Sequence, residues 1–355
     1  MAKSTLVKKL TLNPKETKTW YIGVWISEID TDQRNTDKGR FGGTVTFEVS
    51  NGEIATDLVE KKYNIGTKTQ VTTAGGEEIT QVASEGLIQD SFGNIRYYGT
   101  DPDNYVTFNG EDAGWRIIGV FDTEDENGNI SKRVKLIRAT SIGGYSYDNQ
   151  DFYGISDWTV ARLMMLLNPG YEEISDLYAY EGSLYWNRKS GTCYTGTSSS
   201  TTSCDFTSTG LTSQAKSKID KVKYYLGELS EYQRLYADDY YNFERETTLE
   251  SQTSWIGYIG LMYPSDYAYA TDLSVCTKDG NEYGTTNCKD WLSYEQHSWT
   301  LFSFHNGDPF YIGYSGYIGY SAAFYPYSVR PVAYLKSNIQ IINGTGTQSD
   351  PYIIG

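Results

Sequence analysis

Hydrophobic and polar positions alternate along two long segments in the first half of the chain. Residues 104–122 and 132–142 are rich in aromatic and β-branched side chains, and the polar residues 123–131 separate them. Alternation with a period of two on both sides of a polar turn is typical of an antiparallel hairpin. The pattern therefore predicts two long strands with one buried face.

Two later segments show helical spacing. Residues 156–170 can be capped by Ser156 or Asp157 and stop at an Asn-Pro-Gly sequence, and residues 211–229 can be capped by Thr212 or Ser213. The expected inward positions are Val160, Leu163, Met164 and Leu167 in the first helix, and Ala215, Ile219, Val222 and Leu226 in the second. Both helices should pack on the sheet, with the methionines as core residues.

The remaining pattern divides the chain into three parts. Residues 1–50 contain two aromatic, β-branched stretches and predict a small β segment, too short to form a sandwich alone. Residues 51–86 are polar and rich in turn formers, which predicts a connector. Residues 87–355 run from strands through two helices to further strands and long loops, which predicts one α+β domain with antiparallel sheets.

The four cysteines lie in two local pairs. Cys193 and Cys204 bracket one polar loop of Gly, Thr and Ser, and Cys276 and Cys288 bracket another. Neither loop contains enough apolar residues to form a core of its own. We therefore expect a disulfide bond to close each loop. Disulfides indicate an oxidising, extracellular or cell-surface location, with the secretion signal or anchor outside this sequence.

Composition narrows the classes of function. The formal net charge is -15 and no basic cluster is dense enough to bind a row of phosphates, which argues against nucleic acid as a partner. No apolar run is long enough to span a bilayer. These features favour a protein that lies outside the membrane. They also favour a partner that is not recognised through a positively charged surface.

Metal and catalytic chemistry find little support in the sequence. The histidines are His297 and His305, and no Cys-x-x-Cys knuckle accompanies them, so a zinc site is not expected. His305 has no nucleophile at a suitable spacing, and the pair Asp238–Asp239 is more typical of a helix cap or solvated turn than of acid–base catalysis. We expect no enzyme activity, no cofactor and no metal requirement.

Residues 310–328 form the most unusual segment. Six tyrosines alternate with three glycines in steps of three, which matches neither a strand nor a helix. Tyrosine offers a large amphipathic ring at low entropic cost, and Gly and Ser let a loop bend around such rings. The segment therefore predicts a binding surface, whereas Ile312 and Ile318 within it should point inward.

Several short motifs, in this order, resemble a C-type lectin-fold domain. They are residues 104–121, 134–143, 158–171, 260–270, 298–303 and 328–336. More narrowly, residues 87–355 resemble surface modules of Gram-positive gut bacteria related to the variable proteins of diversity-generating retroelements, and more distantly to formylglycine-generating enzymes. The resemblance implies a C-type lectin-like fold with two main helices and long ordered loops. The calcium-binding signatures of sugar-binding members are absent.

The resemblance also implies that the segment before the Val-Arg-Pro-Val strand is rewritten at adenines. Codons of the type AAC or AAT then never yield Lys, Glu, Gln, Met or Trp. Residues 302–328 contain none of these five types, although they make up about one residue in six of the chain. A Gly/Tyr-rich bias could produce the same absence, so the observation supports diversification without proving it.

Two functions follow as hypotheses. The first is an extracellular, receptor- or adhesin-type module that binds a protein or glycan through a hypervariable Tyr/Gly/Ser-rich surface at 302–328. Its candidate contacts are Phe304, His305, Asn306, Asp308, Phe310, Tyr311, Tyr314, Tyr317, Tyr320, Phe324, Tyr325 and Tyr327. For His305 and Asp308, plain loop residues are an equal alternative.

The second hypothesis is a structural subunit or tip of a surface fibre. The stretches 16–30 and 41–50 resemble the closing strands of a camelysin-like or biofilm-fibre β-sandwich. An unfinished sandwich exposes strand edges, which invites self-association through the N-terminal strands. An enzyme of the formylglycine-generating type would in turn need a free reactive thiol.

Overall fold

The computed structural model describes residues 52–150, 154–173, 182–231, 233–246, 254–284, 287–304 and 307–355. The chain divides into two units, Met1–Val49 and Ser50–Gly355, and every described residue belongs to the second. The N-terminal strands expected within residues 1–50 lie outside the described residues, as do His305 and Asn306.

The described residues form six α-helices and twenty-two strands. The helices are α1 Ala55–Ile65, α2 Arg162–Leu167, α3 Leu184–Asn187, α4 Ser213–Lys218, α5 Ala237–Glu244 and α6 Pro264–Ala270. The strands of the first half are β1 Glu53–Ile54, β2 Thr69–Thr72, β3 Glu78–Val82, β4 Leu87–Gln89, β5 Ile95–Tyr97, β6 Tyr105–Phe108, β7 Glu111–Glu124, β8 Ile130–Arg138 and β9 Gly144–Tyr145. Those of the second half are β10 Ser190–Tyr194, β11 Thr201–Asp205, β12 Val222–Tyr225, β13 Glu228–Leu229, β14 Ser254–Gly257, β15 Ile259–Gly260, β16 Ser298–Phe304, β17 Asp308–Ile312, β18 Ile318–Tyr320, β19 Tyr327–Ser328, β20 Val332–Tyr334, β21 Gln340–Asn343 and β22 Tyr352–Ile354.

A twelve-stranded sheet organises the domain. Its main path runs β1-β21-β22-β6-β7-β5-β4-β3-β2, and β8, β20 and β15 continue from the other side of β7. The antiparallel pair β7–β8 extends from Trp115–Arg138 to Glu124–Ile130, which confirms the hairpin that the alternating pattern predicts. Its inward side chains, such as Trp115, belong to the buried core.

A six-stranded sheet carries the tyrosine-rich segment. Its path is β18-β17-β16-β19-β9, and β13 also pairs with β16. Strand β16 is almost entirely buried and consists of aromatic and β-branched residues with Ser and Leu, which suits a central strand. The segment after it therefore starts from a fixed support in the core.

The expected α+β, C-type lectin-like fold with two main helices is wrong. The described part of the chain is sheet-rich, with 36% strand and 17% helix, and it contains six α-helices and several sheets. Each predicted helix shrinks to six residues, α2 and α4. Thr212 does cap α4 by accepting from the Ala215 N–H at 3.1 Å.

The physical cause of the error is clearest after α4. Val222 and Tyr224 alternate with half-buried neighbours in β12, which pairs with β14. Val and Tyr favour strands, and the pairing partner lies some thirty residues further along, so the apparent helical spacing was overridden by tertiary contacts. Met164 is fully buried, as expected for a core residue.

Residues 51–86, for which the polar pattern predicts a connector, contain the longest helix of the described ranges. Helix α1 buries Ala55, Val59 and Tyr63 at intervals of four, and β2 and β3 extend the large sheet after it. Both predicted disulfides, Cys193–Cys204 and Cys276–Cys288, are present. No helix in the described ranges is long and apolar enough to cross a membrane.

Candidate functional site: an aromatic groove

Strand pairing gives the tyrosine segment two distinct faces. Tyr311 pairs with Trp299 on β16 and with Gly319 on β18, whereas Phe310 pairs with Tyr320. Because successive side chains of a strand point to opposite faces, Tyr311 and Phe310 belong to different surfaces of the same hairpin. The period of three in the sequence therefore does not correspond to one continuous strand.

Two of the glycines are required by close approach and turn geometry. A Cβ on Gly313 would lie 2.3 Å from Cε1 of the Tyr317 ring. Gly316 has a φ of +91° and closes the turn by donating from its N–H to the Gly313 carbonyl at 2.8 Å. The glycines thus let the β17–β18 turn fold under its own tyrosine ring.

The face that includes Tyr311 is a cluster of rings around His297. The imidazole centroid lies 4.9 Å from those of Tyr311 and Tyr327 and 5.3 Å from that of Tyr314. Trp299 closes the cluster from below, 4.5 Å from Tyr327. Such edge-to-face and tilted contacts hold aromatic rings in fixed orientations.

Hydrogen bonds fix the cluster further. The hydroxyls of Tyr311 and Tyr317 lie 2.9 Å apart, and the Trp299 indole N–H donates to the Tyr145 carbonyl at 2.9 Å. The Ser328 hydroxyl donates to Oε1 of Gln296 at 2.6 Å. The rings and the amide beside them are therefore positioned before any ligand arrives.

An open groove of about 320 Å³ lies on this cluster. Its lining residues are Glu295, Gln296, His297, Tyr314, Pro326, Tyr327 and Ser328. Tyr314 is 66% exposed and Tyr325, stacked 5.7 Å from Tyr327, is 42% exposed. We call this surface, Tyr314 and Tyr325 included, the aromatic groove.

The opposite face of the hairpin is mostly core. Phe310 packs 5.0 Å from Phe302, and Tyr320 stacks on Phe304 at 4.6 Å. A smaller cavity of about 230 Å³ borders Phe310 and Tyr320. Tyr320 is 38% exposed, so it offers an exposed tyrosine outside the aromatic groove.

The two disulfide-bonded loops contact two different turns of the tyrosine segment. In the Cys276–Cys288 loop, Gly284 approaches the turn so closely that a Cβ on it would lie 1.6 Å from the Ser315 carbonyl oxygen. From the Cys193–Cys204 hairpin, the Gly196 N–H donates to the Phe324 carbonyl at 3.1 Å. Each disulfide therefore constrains a loop that contacts the backbone next to Tyr314 or Tyr325.

The electrostatics of the groove are those of a neutral surface with an acidic rim. Burial lowers the pKa of His297, which favours the uncharged imidazole. Burial also raises the pKa of the Tyr327 hydroxyl. Glu295 supplies a negative charge at the exposed edge. The arrangement suits stacking and hydrogen bonding.

The predicted site residues are distributed over several environments. Phe304, Phe310 and Tyr311 are buried, whereas the half-buried ones are Asp308, Tyr317, Phe324 and Tyr327 and the exposed ones are Tyr314, Tyr320 and Tyr325. Ile312 and Ile318 are buried, as predicted. The structure thus brings Tyr311, Tyr314, Tyr317 and Tyr327 together. Phe310 and Tyr320 lie on the other face of the hairpin, where Tyr317 also borders the smaller cavity.

Sequence reasoning missed the residues just before β16. His297, Glu295 and Gln296 line the groove although they precede the tyrosine segment. The parallel pairing of Ser298 with Ser328 brings them there. The signal in the sequence that could have indicated these residues was a histidine directly before a buried aromatic strand.

Two further observations concern metal ligands and thiols in the described part of the chain. Across these ranges, no group of three or more His, Cys, Asp or Glu side chains could hold a metal ion. All four cysteines are in disulfides, so none offers a free thiol. Comparison with protein-family models, curated proteins and solved structures finds no match to this chain.

Proposed function

We propose that the chain is an extracellular ligand-binding module that captures a protein or glycan through the aromatic groove. The observation that carries the proposal is the exposure of Tyr314, at 66%, above a fixed cluster of rings around His297. Exposed aromatic rings next to polar side chains are the usual anchors of recognition surfaces. No enzyme activity is part of the proposal.

The energetics favour binding by a preorganised surface. Tyr325 stacks on Tyr327, and Tyr327 packs on His297 and Trp299, so little side-chain freedom remains to be lost on contact. Gln296 and Glu295 at the groove provide polar partners that set orientation. The two disulfides are compatible with the extracellular location that this function needs.

A selection experiment tests the proposal. The full chain is immobilised and screened against a glycan array and a displayed peptide library, in parallel with Tyr314→Ala. We expect specific binders that the variant no longer retains. Binders that are retained equally by the Tyr314→Ala variant would place recognition elsewhere and contradict the proposal.

The proposal includes diversification of exposed positions within residues 302–328 by a retroelement. The absence of the five inaccessible residue types supports it. The exposed tyrosines Tyr314 and Tyr325 lie in turns, where substitution disturbs the sheet least. A near-copy of this coding segment in the adjacent DNA, differing at adenines, is the expected finding, and its absence would contradict this part.

A further inference from the structure

A lysine and an aspartate meet in the core of the domain. Nζ of Lys135, on β8, lies 2.5 Å from Oδ2 of Asp266, on α6, and both side chains are 1% exposed. Arg96 holds the other carboxylate oxygen, Oδ1, at 3.2 Å and pairs with Asp90 at 2.8 Å. Two cations and two carboxylates thus form one cluster, out of contact with water.

Burial brings the neutral amine of Lys135 within reach, although the rings around it also attract an ammonium. Its Nζ lies 4.4 Å from the Tyr263 ring centroid and 5.4 Å from those of Phe121 and Tyr334. An ammonium has three N–H donors, and among the described residues Asp266 is its one hydrogen-bond acceptor. Burial lowers the pKa of Lys135 to about 8, which makes the neutral amine accessible.

We propose that Lys135 and Asp266 condense to form an intramolecular amide bond between β8 and α6. The ammonium first gives a proton to the carboxylate, which produces an amine and a carboxylic acid. The Nζ lone pair then attacks Cγ, the N–C bond forms, and one C–O bond breaks. The departing oxygen leaves as water with two protons from the nitrogen, so no oxidant, reductant or co-reactant is needed.

Neighbouring groups are placed to assist this step. Nη1 of Arg96 donates to Oδ1, the oxygen that remains as the amide carbonyl and becomes negative in the tetrahedral intermediate. The Tyr263 N–H donates to Oδ2 at 2.8 Å and holds the carboxyl plane. Arg96 is therefore a positioning and charge-stabilising residue for bond formation.

Removal of buried charge favours the product. Condensation eliminates one positive and one negative charge from a site with almost no access to water, where each ion carries a desolvation penalty. The remaining pair, Arg96 and Asp90, stays electrically balanced. The bond would join residues 131 positions apart and tie a helix to the large sheet, so these two elements could not separate on unfolding.

Mass spectrometry of the full chain, with its disulfides reduced, tests the proposal. We expect an intact mass about 18 Da below the sequence mass, the loss of one water. Trypsin should release a branched peptide that joins residues 134–138 to residues 246–278, with no cleavage after Lys135. The Lys135→Met variant should have its own full sequence mass. Arg96→Met should contain a smaller fraction of bonded chains than the wild type at the same time after synthesis.

The result that overturns the proposal is equally direct. A wild-type chain at its sequence mass, with cleavage after Lys135, would show an ordinary buried ion pair. A loss of water that maps to any other residue, such as a cyclised aspartate, would also overturn it. The wild-type mass decides the question even if Lys135→Met fails to fold.

Discussion

Gly313 lies beneath the ring of Tyr317, so near that a Cβ on the glycine would approach Cε1 to 2.3 Å. The Gly313 N–H also donates to the Tyr317 carbonyl at 2.7 Å, so the same two residues close the turn. The shape of the β17–β18 turn, which carries Tyr314, therefore depends on the absence of one methyl group.

The first prediction follows from this contact. Gly313→Ala should displace Tyr317 and lower the free energy of unfolding by about 1–3 kcal/mol, the usual cost of overpacking. Tyr317→Phe, which loses only the hydroxyl contact with Tyr311, should cost about 1 kcal/mol. Urea denaturation compares the two variants. Equal stability of Gly313→Ala and wild type would show that the turn adapts freely.

Truncation of an exposed groove tyrosine and of a buried tyrosine in the cluster beneath it should change stability by different amounts. Tyr314→Ala removes a side chain that is 66% exposed and should change the melting temperature little. Tyr311→Ala leaves a hole among Trp299, Tyr317 and Tyr327 and should cost about 3 kcal/mol. Thermal unfolding of both variants measures the two losses of stability. A large loss of stability in Tyr314→Ala would mean that it is a core residue.

Loss of one disulfide should affect stability and recognition together. The double variant Cys276→Ala/Cys288→Ala should lose about 3 kcal/mol, as expected for a closed loop of about a dozen residues. Because this loop packs against Gly316, its loosening should also weaken ligand capture. Thiol titration of the unreduced wild type should give zero. Any titratable thiol there would contradict the pairing.

Stability should depend on pH through Glu244. Burial raises the pKa of this carboxyl to about 7, although Ser265 donates to it from both its N–H and its hydroxyl. Between the unfolded value of about 4.3 and this folded value, the native state binds more protons than the unfolded state. The free energy of unfolding therefore falls as the pH rises across that window, by about 4 kcal/mol in all.

Glu244→Gln should remove this dependence. Asp290, whose pKa burial also raises to about 7, is present in both proteins, so the difference between them isolates Glu244. Denaturation at pH 5 and pH 7.5 gives that difference. If the difference in unfolding free energy between the two proteins is the same at pH 5 and at pH 7.5, the Glu244 carboxyl does not titrate in this window.

The sequence predicted those parts of the fold in which the structure of a segment depends on residues close to it in the chain. The β7–β8 hairpin is a continuous alternating pattern with its turn in between, so both strands and their pairing were predicted. Helix α1 was missed because Asp, Glu, Lys and Asn make up most of its outer side, although Ala55, Val59 and Tyr63 show helical spacing. The 211–229 segment was misjudged because β14, its pairing partner, is distant in sequence.

The candidate site was only half predictable for the same reason. The composition of residues 310–328 located the tyrosines, and the buried isoleucines among them followed from their apolar character. The division into two faces, with Tyr311 on one and Phe310 on the other, requires the register of β17 with β16 and β18. The place of His297 in the cluster depends on a parallel pairing, which no local pattern encodes.

The most direct measurement of the central claim compares three tyrosines. A ligand selected on the wild type is titrated calorimetrically into the wild type, Tyr314→Ala, Tyr325→Ala and Tyr320→Ala. Tyr320 is exposed but lies on the opposite face of the hairpin, which makes it a matched control. We predict at least a tenfold loss of affinity for the first two variants, about 1.4 kcal/mol or more, and none for Tyr320→Ala. Equal affinities for all four proteins would contradict recognition through the aromatic groove.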